Sequence, residues 1–523
     1  MEVVGSNYYK QYCDEAEKHD KLENKLNHLK AENKSLINRM NYFESNLEAI
    51  VAKAVHAAVT PLKEELRQKD KDLQSAHQEI GRLKALINKD SSNSSKPPSS
   101  NGFKEVMNNR VKSGKKQGGQ FGHKGHRLSL PENMEELERL GTLERRLTDY
   151  TDGTEPYISR YQLDIQTKVI VTEYRFSQDA TLPSEFYNEV TYGDETKAIL
   201  LVLLNEGIVP KKRLAEIISG LTHQAIHLSP ATLESFQKEF ATKLVAAKEL
   251  EAIKTHLLNA EVMHVDDSSL KTTQRIIYDE EDIQLVKGYE TKEKGSYRAT
   301  IRTYSNPHST LLTMNPTKAE VGVIRDNILP RFHGTLVHDF ESKFFKYGQR
   351  NAACVAHLIR TLIGLLTLYK REIAGEIADF FREMNAYKEQ NIQEGMTSCD
   401  PERLASFEAM YDELMRRSRA IIHAAPSDFG QEELRVIIDR LEAHKDNYML
   451  FMQDYQIPWT NNQAERDLRM DKTKQKVSGA FRSWVGVNTH AVNRSFISTV
   501  KKRKLDLVGA IRKVFKSEPV LTN

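Results

Sequence analysis

The sequence predicts an α/β domain carrying a large α-helical insertion, with an N-terminal coiled coil and mainly helical accessory segments. Three observations lead to this. Two short apolar runs, at 261–267 and 334–340, each end in an acid. A long stretch of helical periodicity, 351–450, separates them from a last polar helix. Leucines recur every seven residues near the N-terminus. The 523 residues are too many for one ordinary domain and suggest three or four units. Charged residues at 28% and hydrophobic ones at 39% fit a soluble globular chain with long polar helices. No apolar run is long enough for a membrane span, and no apolar leader is visible. The three cysteines, Cys13, Cys354 and Cys399, form neither a ligand pair nor a disulfide framework, so a reducing cytoplasm is expected.

Residues 1–90 read as the coiled-coil region. Leu22, Leu29, Leu36, Phe43 and Ile50 fall seven apart, and Leu26, Asn33, Met40, Leu47 and Ala54 form the second row. This narrow seam favours self-association into a homodimer or larger assembly, with Asn33 as a register-setting polar residue. Pro61 is expected to break the helix, and a new phase starts at Leu66, Leu73, Ile80 and Ile87.

Residues 91–130 read as a flexible linker followed by a basic Gly-rich arm. Ser, Asn and Pro dominate NKDSSNSSKPPSSNGFK, which cannot build a core. KSGKKQGGQFGHKGHRL follows, with Lys112, Lys115, Lys116, Lys124 and Arg127 as candidate phosphate contacts. Net charge is only +3, but seven Lys/Arg face one acid over 104–127, and thirteen face two acids over 469–516. Such clustering, rather than the total, points to nucleic acid.

Residues 131–190 suggest a small mixed domain with a strand over 162–176 around Val169 and Val171. Residues 191–258 suggest a helical DNA-binding or structural subdomain, with Ser229-Pro230 opening one helix as N-cap and first residue. Residues 259–350 carry the first part of the α/β domain. Strands are expected at 261–267, 296–305, 309–316 and 334–340, with a helix over 318–332. Residues 351–455 form the helical insertion. Residues 456–523 hold the last polar helix and a basic C-terminal region.

The chemistry rests on three acids. Asp266 and Asp339 end strands, where ligands bind in α/β sheets. Glu465 lies early in NNQAERDLR, which Asn461 or Asn462 can cap and where Arg466 and Arg469 sit three apart. Two Asp and one Glu from separate elements suit two Mg²⁺ or Mn²⁺ ions acting on a phosphodiester. Spacing alone is a weak signal among 73 acids.

The same segments resemble the transposases of the insertion sequence 66 family over most of the chain. NSSNSSKPPSSNG and GGQFGHKGHRL look like that family's linker and arm. EVMHVDDSSLK, GTLVHDFESKFFKYG with AACVAHLIRTL, and IPWTNNQAERDLRMDKTKQKVSGAFRS look like its three catalytic blocks, in the same order. The resemblance implies an RNase H-like catalytic core of DDE type with the triad Asp266, Asp339 and Glu465. It places Asp266 rather than Asp267 first, because the family has Asp-Glu-Thr where this chain reads Asp266-Asp267-Ser268. It implies supporting roles for Asn461 and Asn462, and DNA-backbone roles for Arg466 and Arg469. It implies terminal inverted repeats and target DNA as partners, small accessory proteins of the same element, and a bacterial, nucleoid-associated location. One departure stands out. The family's zinc-binding domain follows the arm, yet 128–183 contains no cysteine, so no zinc is expected, and His123 and His126 lack partners to complete a site. A nuclease that cuts without joining, and a DNA-binding remnant of a decayed transposase, are the alternatives.

Overall fold

The computed structural model describes residues 2–46, 52–88, 129–149, 158–183, 186, 188–276, 296–424 and 428–522. The basic arm, with Lys112, Lys115, Lys116, Lys124, Arg127, His123 and His126, lies outside the described residues.

Helix α1 (Glu2–Asn46) and helix α2 (Ala52–Asn88) pack against each other. They run antiparallel: Asn33 Nδ2 donates to Asp70 Oδ1 at 3.3 Å, and Lys69 pairs with Glu32. Leu26, Leu29 and Leu36 of the heptad seam are buried, as are Ala76 and Leu83. The seam expected to join two protomers is thus engaged within one chain. An intrachain partner enjoys a high effective concentration and needs no second copy. Asn33 spends its amide on this hairpin. Pro61 does not break the helix as expected; α2 runs through it. Proline removes one helical hydrogen bond but does not forbid the fold where the flanking turns are held.

The expected small domain is barely ordered by secondary structure. Helix α3 (Met134–Arg139) is short, and no described residue of 158–183 belongs to a strand. The strand expected over 162–176 is therefore absent. Ile165 and Val171 are each 90% exposed. Alternation predicts a strand only where a neighbour supplies the ladder, and none does so among the described residues.

Helices α4 (Asp194–Asn205), α5 (Lys211–Leu221), α6 (Pro230–Ala246) and α7 (Glu249–Leu258) come next. Ser229 caps α6 as expected, its Oγ accepting from Thr232 N at 3.0 Å with Pro230 in the first turn. These helices are not a separate unit. Ala198, Leu201, Phe240, Leu244, Ile253 and Leu257 share one core with the sheet.

The sheet has five strands: β1 (Val262–Ile276), β2 (Ser296–Ser305), β3 (Thr310–Asn315), β4 (Thr335–His338) and β5 (Arg350–Ala353), in the order β3-β2-β1-β4-β5. β1 pairs antiparallel with β2, and β2 with β3; β4 runs parallel to β1, and β5 to β4. Helix α8 (Glu320–Asp326) and a short 3-10 turn, Leu329–Arg331, lie between β3 and β4. β5 carried no clear strand pattern: it is four residues long and starts with Arg-Asn.

The insertion consists of α9 (Val355–Tyr369), α10 (Glu372–Gln393), α11 (Pro401–Ala424), α12 (Phe429–Ala443) and α13 (Lys445–Gln453). Its core takes in Val337, Ala352 and Ala353, so it builds directly on β4 and β5. Inside it, the buried Lys388 ammonium donates to Phe451 O at 3.1 Å and to Ile457 O at 2.5 Å, tying α10 to the segment leading out of the insertion. Helices α14 (Asn462–Ser478), α15 (Trp484–Lys502) and α16 (Leu507–Phe515) close the chain. α15 covers the free edge of the sheet. Thr499 Oγ1 and Ser495 Oγ accept from Thr310 N and Leu312 N of β3 at 3.0 and 2.8 Å. Side-chain hydroxyls satisfy donors that an open edge would leave for another strand.

Gly334 sets how closely β4 approaches β1. A Cβ there would meet Glu261 O at 2.6 Å and Ala260 O at 2.7 Å, and Thr335 N already donates to Glu261 O at 2.8 Å. Gly334→Ala is expected to destabilise the protein by roughly 1–3 kcal/mol, measured by denaturant unfolding. Wild-type stability in that variant would show that the two strands can separate at no cost.

Candidate active site

Strand parity separates the two neighbouring acids of β1. Leu270, Ala299, Ile301, Leu312 and Met314 pack on one face, with Leu468 of α14 and Val487 and Ala491 of α15. Asp266 shares the parity of Leu270 and so faces α14. Asp267 points to the other face. There it opposes Arg302 in register and is buried against Arg302, Lys343 and Lys318 at 3.4, 2.7 and 2.8 Å. Arg302 is itself fully buried and held by Asp326 at 2.6 Å. Asp267 is thereby committed to an internal cluster of cations, whereas Asp266 has no ion-pair partner among the described residues.

Asp339 follows β4 directly. The parallel register Val262↔Thr335, Met263↔Leu336, His264↔Val337 brings Asp339, just past the end of β4, beside Asp266, which lies within β1 and not at its end as expected, because pairing with β2 carries the strand on to Ile276. Phe340, next in the chain, adopts φ 76°. A bulky residue takes this left-handed conformation only where its surroundings hold it. The Phe340 ring stacks on Tyr448 at 5.5 Å and lies under Arg440 at 4.7 Å, so the insertion clamps the turn that aims Asp339.

Glu465 stands in the first turn of α14, and Asn461 fixes where that turn sits. Asn461 is fully buried at the N-cap position, but its side chain serves β1 rather than the helix. Its Nδ2 donates to Val265 O at 2.8 Å, and its Oδ1 accepts from His264 Nδ1 at 3.0 Å. Burial pushes the His264 pKa down to about 4, so the ring is neutral and donates through Nδ1. Asn461 thus ties the start of α14 to β1. Asn462, expected beside it, is exposed.

Electrostatics unite the three acids. Burial, then the charges of Asp339, Asp267 and Glu465, hold the Asp266 carboxyl well above the usual carboxylate range. Burial and Glu341 push Asp339 up to about 6. Neither acid has a cation within ion-pair distance among the described residues. Paired, desolvated carboxylates without an ion-pair partner are a donor set for a hard divalent cation, which takes oxygen ligands and relieves their repulsion. The residues present therefore fit Mg²⁺ or Mn²⁺. Glu465 also has other company: its carboxylate, His357 Nδ1 and Cys354 Sγ lie within 4.8 Å of one another. Neither His357 nor Cys354 is legible as a site residue from the sequence beyond a Cys-x-x-His spacing at the start of a helix.

The basic C-terminal region is partly internal. Arg494 and Lys501 pair with Glu206, Lys502 with Asp467 at 2.7 Å, and Arg512 with Glu195 at 2.6 Å. Arg494 and Lys502, both sheltered, are thereby committed to helix contacts, which corrects the uniform reading of 469–516, whereas Lys501 and Arg512 stay about half exposed. Arg466, Arg469 and Lys476 of α14 are exposed and lie at helical spacing beyond Glu465. No helix among the described residues is long and apolar enough to cross a membrane.

Comparison with known proteins bears on the same segments. Residues 14–129 match a family of unknown function (DUF6444). No curated protein and no solved structure matches the chain. Residues 189–489, more than half of the chain and inclusive of all three acids, match the family described as Transposase IS66 family. The chain belongs to the IS66 family of transposases.

Proposed function

We propose that the chain is a DDE-type transposase with an RNase H-like core, which nicks DNA at the element's ends to free a 3′-OH and transfers that strand into target DNA. The observation that carries this reading is the meeting of Asp266 and Asp339 on adjacent parallel strands, with Glu465 delivered by α14. The strand order β3-β2-β1-β4-β5, three antiparallel strands followed by two parallel to β1, supports the core assignment.

In this reading Asp266, Asp339 and Glu465 hold two Mg²⁺ or Mn²⁺ ions. When bound, such ions make an attacking oxygen nucleophilic and stabilise the leaving one. The chain's own residues do the rest. Asn461 holds α14 on β1, so the third carboxylate arrives at a fixed height. Phe340 and the insertion hold the turn after β4. Arg466, Arg469 and Lys476 take backbone phosphates and so position the duplex without reading bases. The terminal inverted repeats, accessory proteins of the element and pairing of protomers belong to this proposal as partners. The hairpin seam is occupied within the chain, so pairing of protomers needs surface outside it.

The test uses purified protein, a labelled duplex carrying the element's end, a supercoiled plasmid and Mg²⁺ or Mn²⁺. Wild type is expected to yield joined product, and Asp266→Asn, Asp339→Asn and Glu465→Gln to yield none. Cleavage without joining would favour the nuclease. Tight end binding with no product, accessory proteins supplied, would favour the decayed remnant.

Stability should move against activity. The folded pKa of Asp339, about 6, lies above its unfolded value, so the folded state binds the extra proton and stability falls as pH rises through that interval. Asp266→Asn and Asp339→Asn are therefore expected to raise the melting temperature by a few degrees at pH 7.5 without divalent ions, and the gain should shrink below pH 6. Mg²⁺ should raise the wild-type melting temperature and leave the variants unchanged. Melting temperatures lowered by both substitutions would contradict a repulsive carboxylate pair.

The phosphate role of α14 predicts a salt signature. Arg466→Ala and Arg469→Ala should each weaken binding to every duplex alike. Each should flatten the slope of log K against log salt by about 0.9, read by fluorescence anisotropy. An unchanged slope would remove that residue from the interface.

A further inference from the structure

The third carboxylate is held from the insertion as well as from its own helix. Arg360 Nη2 donates to Glu465 Oε1 at 3.4 Å, and His357 Nδ1 lies 3.7 Å from the same oxygen. Both side chains come from the first two turns of α9, and Cys354, His357 and Arg360 follow at intervals of three, on one side of its start. The head of α9 is stitched to the segments that carry the second and the third acid. Cys354 N donates to His338 O at 3.0 Å, at the end of the strand that delivers Asp339. Asn461 N donates to Cys354 Sγ at 3.1 Å, and Val355 N to Trp459 O at 2.9 Å, on the approach to α14. One short stretch, 354–360, therefore spans from the second acid to the third.

We propose that Arg360, with His357 beside it, is a positioning residue for Glu465. It fixes one carboxylate oxygen and leaves the other for the metal, as outer partners of metal-ligating carboxylates do. This rests on the reading that Glu465 is a metal ligand. The energetic logic is preorganisation. A Glu in the first turn of an exposed helix samples several rotamers, and a ligand must be confined before it can bind tightly. With Glu465 only 23% and Arg360 26% exposed, the pair is sheltered enough for the contact to persist. It also gives the helical insertion a task at the site, since α9 is its first helix.

A rival use of the same atoms is a separate site for a softer metal, made by Cys354, His357 and Glu465. The guanidinium of Arg360 argues against it, because it puts a permanent positive charge on the very oxygen such an ion would need.

The experiment measures Mn²⁺ binding to the full chain by the loss of the free-ion electron paramagnetic resonance signal. Wild type, Asp266→Asn, Glu465→Gln, Arg360→Gln, Arg360→Lys and His357→Ala are compared, each checked for a single cooperative melting transition no lower than that of wild type. Asp266→Asn and Glu465→Gln should abolish the tight phase. Arg360→Gln should raise the half-saturating Mn²⁺ about tenfold with the number of bound ions unchanged, and Arg360→Lys should recover part of the loss. His357→Ala should act in the same direction with a smaller effect. Wild-type binding by Asp266→Asn and Glu465→Gln would overturn the metal-site reading itself. Loss in those two with wild-type binding in both Arg360 variants would overturn the positioning role alone. So would a thiolate-to-cobalt absorption band in Co²⁺-loaded wild type that Cys354→Ser removes, because the cluster would then be a metal site in its own right.

Discussion

The anchoring of α14 to β1 through Asn461 is the constraint on which the site depends. A buried amide must spend its donors and acceptor or pay for their loss. Asn461 spends them on Val265 O and His264 Nδ1, both one or two residues before Asp266. Its backbone N–H goes to Cys354 Sγ, at the head of the insertion. Three elements far apart in the chain thus meet at one residue. The carboxylate four residues further on, Glu465, inherits its position from that junction.

Around this joint the charges are sorted by face. Asp267 and Arg302 occupy the inner face of the sheet and satisfy each other, with Lys318 and Lys343 completing the cluster. Asp266 and Asp339 have no ion-pair partner among the described residues, and burial raises the cost of holding both ionised. A pair kept in this state costs stability and is poised to gain from a cation. The strained turn at Phe340 is a second local cost next to the same acids, offset by aromatic packing against the insertion. The insertion is therefore part of the site's support and not an appendage: its core begins on β4 and β5, and its first helix reaches Glu465.

The order of α/β elements, the strand that ends just before Asp339, the Ser229-Pro230 cap and the helical character of the insertion were legible from residue types and periodicity, whereas the length of β1 beyond Asp267 was not. These are properties of neighbours within a few residues, which sequence records directly. The preference for Asp266 came from family resemblance, whereas the physical ground for it is strand parity against a fixed core. Other features depended on what lies opposite. The heptad rows of α1 specify a partner helix but not whose it is, and α2 of the same chain fills the place. The alternation at 162–176 specifies a strand only if a neighbouring strand exists. The cations of 469–516 look alike in sequence, yet Glu206, Asp467 and Glu195 capture several of them.

By itself, then, the sequence determined the order of strands and helices in the α/β part and the family to which the chain belongs. Only the tertiary structure decided which face each acid takes, which cations are already paired, and that Cys354, His357 and Arg360 stand beside Glu465 across more than a hundred intervening residues. The reason is that pattern encodes the local path of the backbone, whereas a counter-charge or hydrogen-bond partner is set by contacts between segments remote in the chain.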